Sequence, residues 1–220
     1  MKKTLFYSSF AAVLLMTACG DATNENTENT TIVAEEPVAA EGQAYEIVEE
    51  ESKVNWHGTK VAGEHRGEIE LQDGQLLVNN NQLAGGTVVV DMKTITNSDI
   101  EAEEDRTKLE GHLKSDDFFG VEKYPTATFE ITNATPVANA GAGQPNYNVE
   151  GNLTIKEKTE KVSFPATVQM KGNMVKASAD VTVDRSKFDV RYGSNSFFDN
   201  LGDKAISDEF TISFDVTAKQ

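Results

Sequence analysis

The nine residues Gly111–Phe119, GHLKSDDFF, hold a histidine, a lysine, two adjacent aspartates and two adjacent phenylalanines. Such groups could do acid–base or metal chemistry, since imidazole titrates near neutrality and carboxylates serve as bases or ligands. The spacing argues against it. The three histidines, His57, His65 and His112, form no HxH or HExxH pair. A three-histidine site assembled in space is the alternative, because His57 and His65 could lie near each other. There is no GxSxG elbow and no phosphate-cradling glycine loop, and the single cysteine is Cys19. Carboxylate pairs carry little information in a chain with 36 acids. No catalytic residue, metal ligand or enzymatic activity is assigned.

The polar residues of the cluster have a structural reading. Ser115 is placed to cap a short helix over 115–119, with Asp116 and Asp117 meeting unpaired N–H groups in its first turn. Gly120 would end it in the left-handed conformation. Tyr124 before Pro125 is pushed extended and launches the strand TATFEI. Upstream, residues 99–113 have helical period, with Ala102, Arg106, Leu109 and Leu113 on one stripe and a capping box from Ser98 to Glu101. Acids at its start and bases at its end match the helix dipole. What this leaves over is Phe118 and Phe119. Helical neighbours diverge by about 100°, so one is expected to anchor the fold and the other to border a cavity.

The rest of the domain must position these two rings, and it reads as β-sheet. Apolar residues alternate in KVNWHGT (Val54, Trp56), TVVVDMKTI (Val88, Val90, Met92), NVEGNLTI (Val149, Leu153, Ile155), KVSFPATVQM (Val162 to Met170), VKASADVTV (Val175 to Val183) and FTISFDV (Phe210 to Val216). Asp73-Gly74 and Gly172-Asn173 are expected as two-residue hairpins, and KEKTEK as a longer one around Glu157–Thr159. NAGAGQPN reads as a loop, and Ala84–Gly86 as a strand entry or bulge. Eight to ten strands at hairpin spacing imply an antiparallel sandwich or closed barrel.

Charge limits the partners. Of a net −16, residues 1–19 carry only Lys2 and Lys3, residues 20–44 carry six acids and no base, and 45–220 hold 30 acids against 18 bases. Such a surface repels nucleic acid and anionic lipid. MKK followed by an apolar run reads as an export signal over 1–18. LMTAC resembles a lipobox, so Cys19 is expected to carry lipid and to fix the chain to a bacterial envelope membrane. Residues 19–44 then read as the lipidated cysteine and a disordered acidic tether, too poor in apolar groups to fold. A homodimer is left open.

GHLKSDDFFGVEKYPTATFEI, VEGNLTIKEKTEKVSFP and VDRSKFDV together resemble the hallmark segments of the YceI-like family, with GGTVVVDMKTI and ISDEFTISFDV in matching order. The likeness spans about residues 45–219. It implies an all-β, lipocalin-like, extended up-and-down barrel of about eight antiparallel strands. Its apolar tunnel would hold a long-chain isoprenoid or related amphiphile, in an exported protein with no other cofactor. Asp189 stands where many members have glycine, and the first strand is closer to a lipoprotein-bearing branch. The candidates for the cavity wall are Trp56, Val90, Met92, Phe118, Phe119, Phe129, Phe164, Phe188 and Phe214. Those for the head group are His112, Lys114, Arg185 and Arg191. The domain's negative charge favours a neutral head, such as a quinone or free prenyl alcohol, over a pyrophosphate. Two other functions fit the same segments: a lipid-modifying hydrolase or isomerase, and a structural or stress-related module whose barrel is filled by its own side chains.

Overall fold

The alternating stretches form nine strands and one helix within residues 41–220, the part that the structure, a computed structural model, describes. The expected export signal, Cys19 and the tether up to residue 40 lie outside the described residues. The strands are β1 (Gln43–Ile47), β2 (Lys53–Lys60), β3 (Gly63–Asn79), β4 (Gln82–Asp91), β5 (Thr126–Pro136), β6 (Tyr147–Ile155), β7 (Lys158–Lys171), β8 (Met174–Asp184) and β9 (Ile206–Lys219). The helix α1 is Glu103–Lys114, between β4 and β5. β1 begins two residues inside the expected tether.

Consecutive strands from β2 to β9 pair antiparallel, and β2 pairs with β9, so the sheet closes on itself. β3 makes this possible by its length. Its first half pairs with β2 (Val54 opposite Ile69) and its second half with β1 (Tyr45 opposite Leu76). β1 also touches the end of β9 at Ile47–Ala218. The first wall position is therefore filled by β1 and β2 in turn, and the barrel has eight staves without a free edge.

Asp73-Gly74 is not a hairpin. Asp73 and Gly74 sit inside β3, where the pairing with β4 slips between Leu71 and Asp73. The slip changes which residues face inward, from Ile69 and Leu71 before it to Leu76 and Val78 after it, all buried. A turn-forming dipeptide has been used as a bulge. The real β3–β4 turn is Asn80-Asn81, both left-handed (φ 49° and 61°). The β6–β7 turn is tighter than expected, with Lys156 and Glu157 at φ 50° and 59°. Gly172 does turn between β7 and β8, and the β3–β4 register does slip across Ala84.

α1 starts four residues later than expected, and no side chain caps it. Ser98 and Asp99 are diverted. The Ser98 N–H donates to Arg66 O, and Asp99 accepts from the Arg66 N–H (2.8 Å) and pairs with His65 Nδ1 (2.9 Å). Residues 96–99 thus extend along the β3 edge that β4 has left, and this outweighs a helix cap. Residues 115–119 form turns rather than a second helix. Ser115 ends α1: its hydroxyl donates to His112 O (2.7 Å). Gly120 is left-handed (φ 58°), as expected. α1 and residues 115–121 lie at one end of the barrel, together with the ends of β2, β4, β6 and β8 and the start of β9. That end is called the α1 end below.

Candidate ligand-binding site

The inward residues enclose a cavity of about 380 Å³ that reaches from Leu83, Val149 and Val168 to the α1 end. This is within the roughly 300–1,000 Å³ typical of small-molecule sites. Its wall is almost wholly apolar. Phe129, Phe164 and Phe214, from β5, β7 and β9, meet across the middle, the first pair tilted and the second edge-to-face, with centroids 5.5 and 5.7 Å apart. Two glycines let the rings lie flat against the wall. Phe129 leans over Gly151, whose missing Cβ would stand 2.4 Å from the ring. The Trp56 indole lies across its cross-strand partner Gly67, and its Nε1–H donates to Thr96 O (3.0 Å). The indole's one polar atom is thereby satisfied, and its ring is left to face the cavity.

Of the nine expected wall residues, Trp56, Val90, Met92, Phe118, Phe119, Phe129, Phe164 and Phe214 border the cavity. Phe188 does not. β8 ends at Asp184, and the short 3₁₀ turn Arg185–Phe188 directs Phe188 into packed core, where it is 1% exposed. Both Phe118 and Phe119 reach the cavity, with their rings 5.1 Å apart. Phe118 is buried and lies beneath the Arg185 guanidinium (5.5 Å), whereas Phe119 is half-buried.

The head-group candidates divide. His112 borders the cavity at the α1 end, edge-on to Phe118 and Tyr192 (5.9 and 4.3 Å), with its Nε2 buried and unpartnered. Arg185 also borders it but offers no free donor. Its Nε donates to Ser207 O, Nη1 to Val190 O and Tyr192 O (each 2.9 Å), and Nη2 to Ile206 O (3.1 Å), with Asp208 3.4 Å away. It ties the loop after β8 to the start of β9. Arg191 is exposed outside the cavity, paired with Asp189 (2.6 Å) and set over Phe197. Lys114 is half-buried and not in the wall.

Three contributors were not anticipated. Lys156 Nζ donates to Phe118 O and Asp189 O (3.0 Å each), joining the two turns at the α1 end. Tyr192 closes over His112 yet is 47% exposed. Asp208 meets Arg185 and accepts from Ser196 Oγ (2.6 Å). Burial pushes its carboxyl up, but the serine hydroxyls of Ser194 and Ser196 and the Arg185 charge outweigh this and hold it below its ordinary value. None carries a periodicity, and each acts through loop geometry. Asp189 explains the usual glycine at its position: its φ is 60°, a conformation that aspartate tolerates better than most residues.

The wall offers burial of apolar surface. His57 and His65 lie on opposite faces, because they sit one register step apart across the β2–β3 pair. His57 bonds Glu64 and His65 bonds Asp99. Among the described residues no group of three histidine, cysteine or carboxylate side chains is placed to hold a metal ion.

The profile of the YceI-like domain matches residues 45–218. The chain belongs to the YceI-like family. Two curated relatives are UPF0312 proteins of Vibrio cholerae (32% identical over 101 residues, 46% of this chain and 48% of the relative) and Azotobacter vinelandii (32% over 94 residues, 43% and 44%). These matches take in just under half of each relative's length. Among solved structures, BcnA of Burkholderia cenocepacia superposes at TM-score 0.61 with 25% identity, over 79% of this chain and 99% of that one. A polyisoprenoid-binding domain from Saccharophagus degradans superposes at 0.57 with 14% identity (80% and 97%) and shares the YceI-like fold.

Proposed function

We propose that this YceI-like protein holds one long-chain isoprenoid, or a similarly slender amphiphilic lipid, in its barrel, and serves as an envelope lipid carrier or store anchored through Cys19. The observation that carries this reading is the apolar cavity itself. Left without a ligand, a cavity of about 380 Å³ would keep its apolar wall in contact with water, and an apolar chain that fills it removes that surface from water. A barrel filled by its own side chains would have no such space. The likeness to a polyisoprenoid-binding domain supports the same class of ligand.

The head is neutral, a quinone or a free prenyl alcohol. The guanidinium in the wall is spent on backbone carbonyls, Lys156 Nζ is held by two more, and the exposed Lys60 marks only the rim. A pyrophosphate buried here would be an uncompensated charge. His112 offers one hydrogen bond, which suits a hydroxyl or carbonyl.

Organic extraction of the purified protein, followed by mass spectrometry, tests the proposal. A stoichiometric neutral polyprenyl compound is expected. Protein that yields no long-chain lipid, even when produced in cells rich in isoprenoids, would contradict it. Recovery of prenyl pyrophosphate instead would overturn the head-group assignment alone.

A further inference from the structure

We infer that the α1 end carries a membrane-docking surface, built from Val61, Tyr192, Phe197 and Phe198, through which the ligand passes directly between bilayer and barrel. The inference rests on the lipid-holding reading above and adds the route of entry. Among the described residues, five large hydrophobic side chains are exposed: Val61 (66%), Val137, Tyr192, Phe197 and Phe198 (50%). Four of the five gather at the α1 end. Val61 is at the tip of the β2–β3 hairpin, and its N–H donates to Ala205 O, which joins that tip to the loop bearing the three aromatics. Only Val137 lies at the other end, after β5.

The cavity opens at this same place. Its exposed wall residues are Thr59, Lys60 and Tyr192, all at the α1 end. Tyr192 belongs both to the cavity wall and to the exposed set, so cavity and surface are continuous. At the opposite end the inward residues Tyr45, Leu83, Tyr147 and Val175 are buried.

The phenylalanines are held outward by a fixed turn. The N–H groups of Phe197 and Phe198 both donate to Ser194 O, and Ser194 is fully buried. Ser196 is bonded to Asp208. Exposed aromatic rings cost free energy in water; Arg191 covers one face of Phe197, and no such contact covers Phe198. A long polyprenyl chain is nearly insoluble in water, so a protein exchanging it gains by opening its cavity against the bilayer. Aromatic side chains suit the interface between headgroups and acyl chains. The excess of acids in residues 45–220, 30 against 18 bases, favours a zwitterionic rather than an anionic surface.

The test uses the full chain with Cys19→Ser, alone and with Phe197→Ser plus Phe198→Ser, so that residues 1–18 and the anchor position are common to both. Zwitterionic vesicles loaded with a long-chain prenyl benzoquinone deliver the probe, and quenching of Trp56 fluorescence reports its arrival. The serine pair is expected to slow transfer from vesicles about tenfold or more, from the lost insertion of two rings. It should leave quinone uptake from detergent micelles unchanged. Anionic vesicles should transfer more slowly than zwitterionic ones. Flotation with quinone-free vesicles gives a readout independent of lipid uptake, and the serine pair should float less. Transfer and flotation within twofold of the parent would overturn the proposal. So would a parent whose dimer, seen by sedimentation, is dissociated by the serine pair with transfer unchanged, because the surface would then join two copies of this chain. A parent that floats with vesicles but takes up quinone from neither source would instead defeat the lipid-holding reading and leave docking intact.

Discussion

Phe118 and Phe119 are neighbours in sequence but differ in what their removal should cost. Phe118 is buried beneath Arg185 and edge-on to His112, so Phe118→Ala opens a void among rigid partners and should destabilise by about 3–5 kcal/mol. Phe119 is half-buried, and Phe119→Ala should cost about half as much or less while weakening lipid retention. Urea unfolding of both variants checks this, with lipid content measured alongside. Equal stability losses would refute the division. The same residues show what the sequence could reveal. That the two rings serve the barrel follows from their position at a chain junction, whereas the helix assigned to 115–119 failed because Ser115 is spent on His112 O. Arg185 misled for a related reason. An arginine beside a cavity suggests a ligand's charge, but in the fold its donors are directed at four backbone carbonyls. A pH effect belongs at this scale too. Asp208 has its folded pKa lowered from 3.8, so its contribution to stability is present above that ordinary value and is lost as pH falls through the depressed one. Denaturation curves from about pH 5 to pH 2 should therefore show falling stability, with a shallower slope in Asp208→Asn. An unchanged slope would mean that other carboxylates dominate.

At the scale of elements, alternation predicted most of the barrel because inward and outward faces differ wherever one side is apolar. β6, β7 and β8 follow it, whereas β9 ends in three consecutive buried residues, Val216, Thr217 and Ala218. It failed at β3, where Asp73-Gly74 has the local chemistry of a hairpin. Long-range pairing with both β1 and β4 kept the strand continuous and absorbed the dipeptide as a bulge. Local sequence holds no trace of that competition. Nor could alternation say whether small inward residues leave a space. That depends on rings from β5, β7 and β9 meeting in three dimensions, and they meet as Phe129, Phe164 and Phe214. This cluster narrows the middle of the cavity and should limit how far a chain threads. Phe164→Ala is expected to shift the retained lipid toward longer prenyl chains, measured by mass spectrometry after growth in the same host. It should melt lower than wild type when empty, by the loss of a buried ring worth about 3–5 kcal/mol. An unchanged chain-length distribution would show that the far end of the barrel is reached by no ligand.

Among the described residues, closure of eight staves removes free edges and leaves a large apolar interior to be satisfied. A ligand that fills it should behave as part of the fold. Delipidated protein is expected to melt below the purified form and to recover when a long-chain prenyl quinone is added. Saturation at a hundredfold excess over Kd would contribute about 2.7 kcal/mol, or roughly 5–10 °C for a domain of this size. Calorimetry of the two forms reads this, and identical melting would mean that the cavity is not where lipid resides. The most direct measurement uses the protein's single tryptophan, which the fold has placed in the cavity wall. Delipidated protein is titrated with a long-chain prenyl benzoquinone in detergent below its micellar concentration, and Trp56 emission is followed. Lipid held within the barrel predicts steep, saturable quenching that ends at one quinone per chain, and weaker quenching by the same quinone without its prenyl tail. Emission that declines only linearly with quinone, with no saturation and no dependence on the tail, would contradict it.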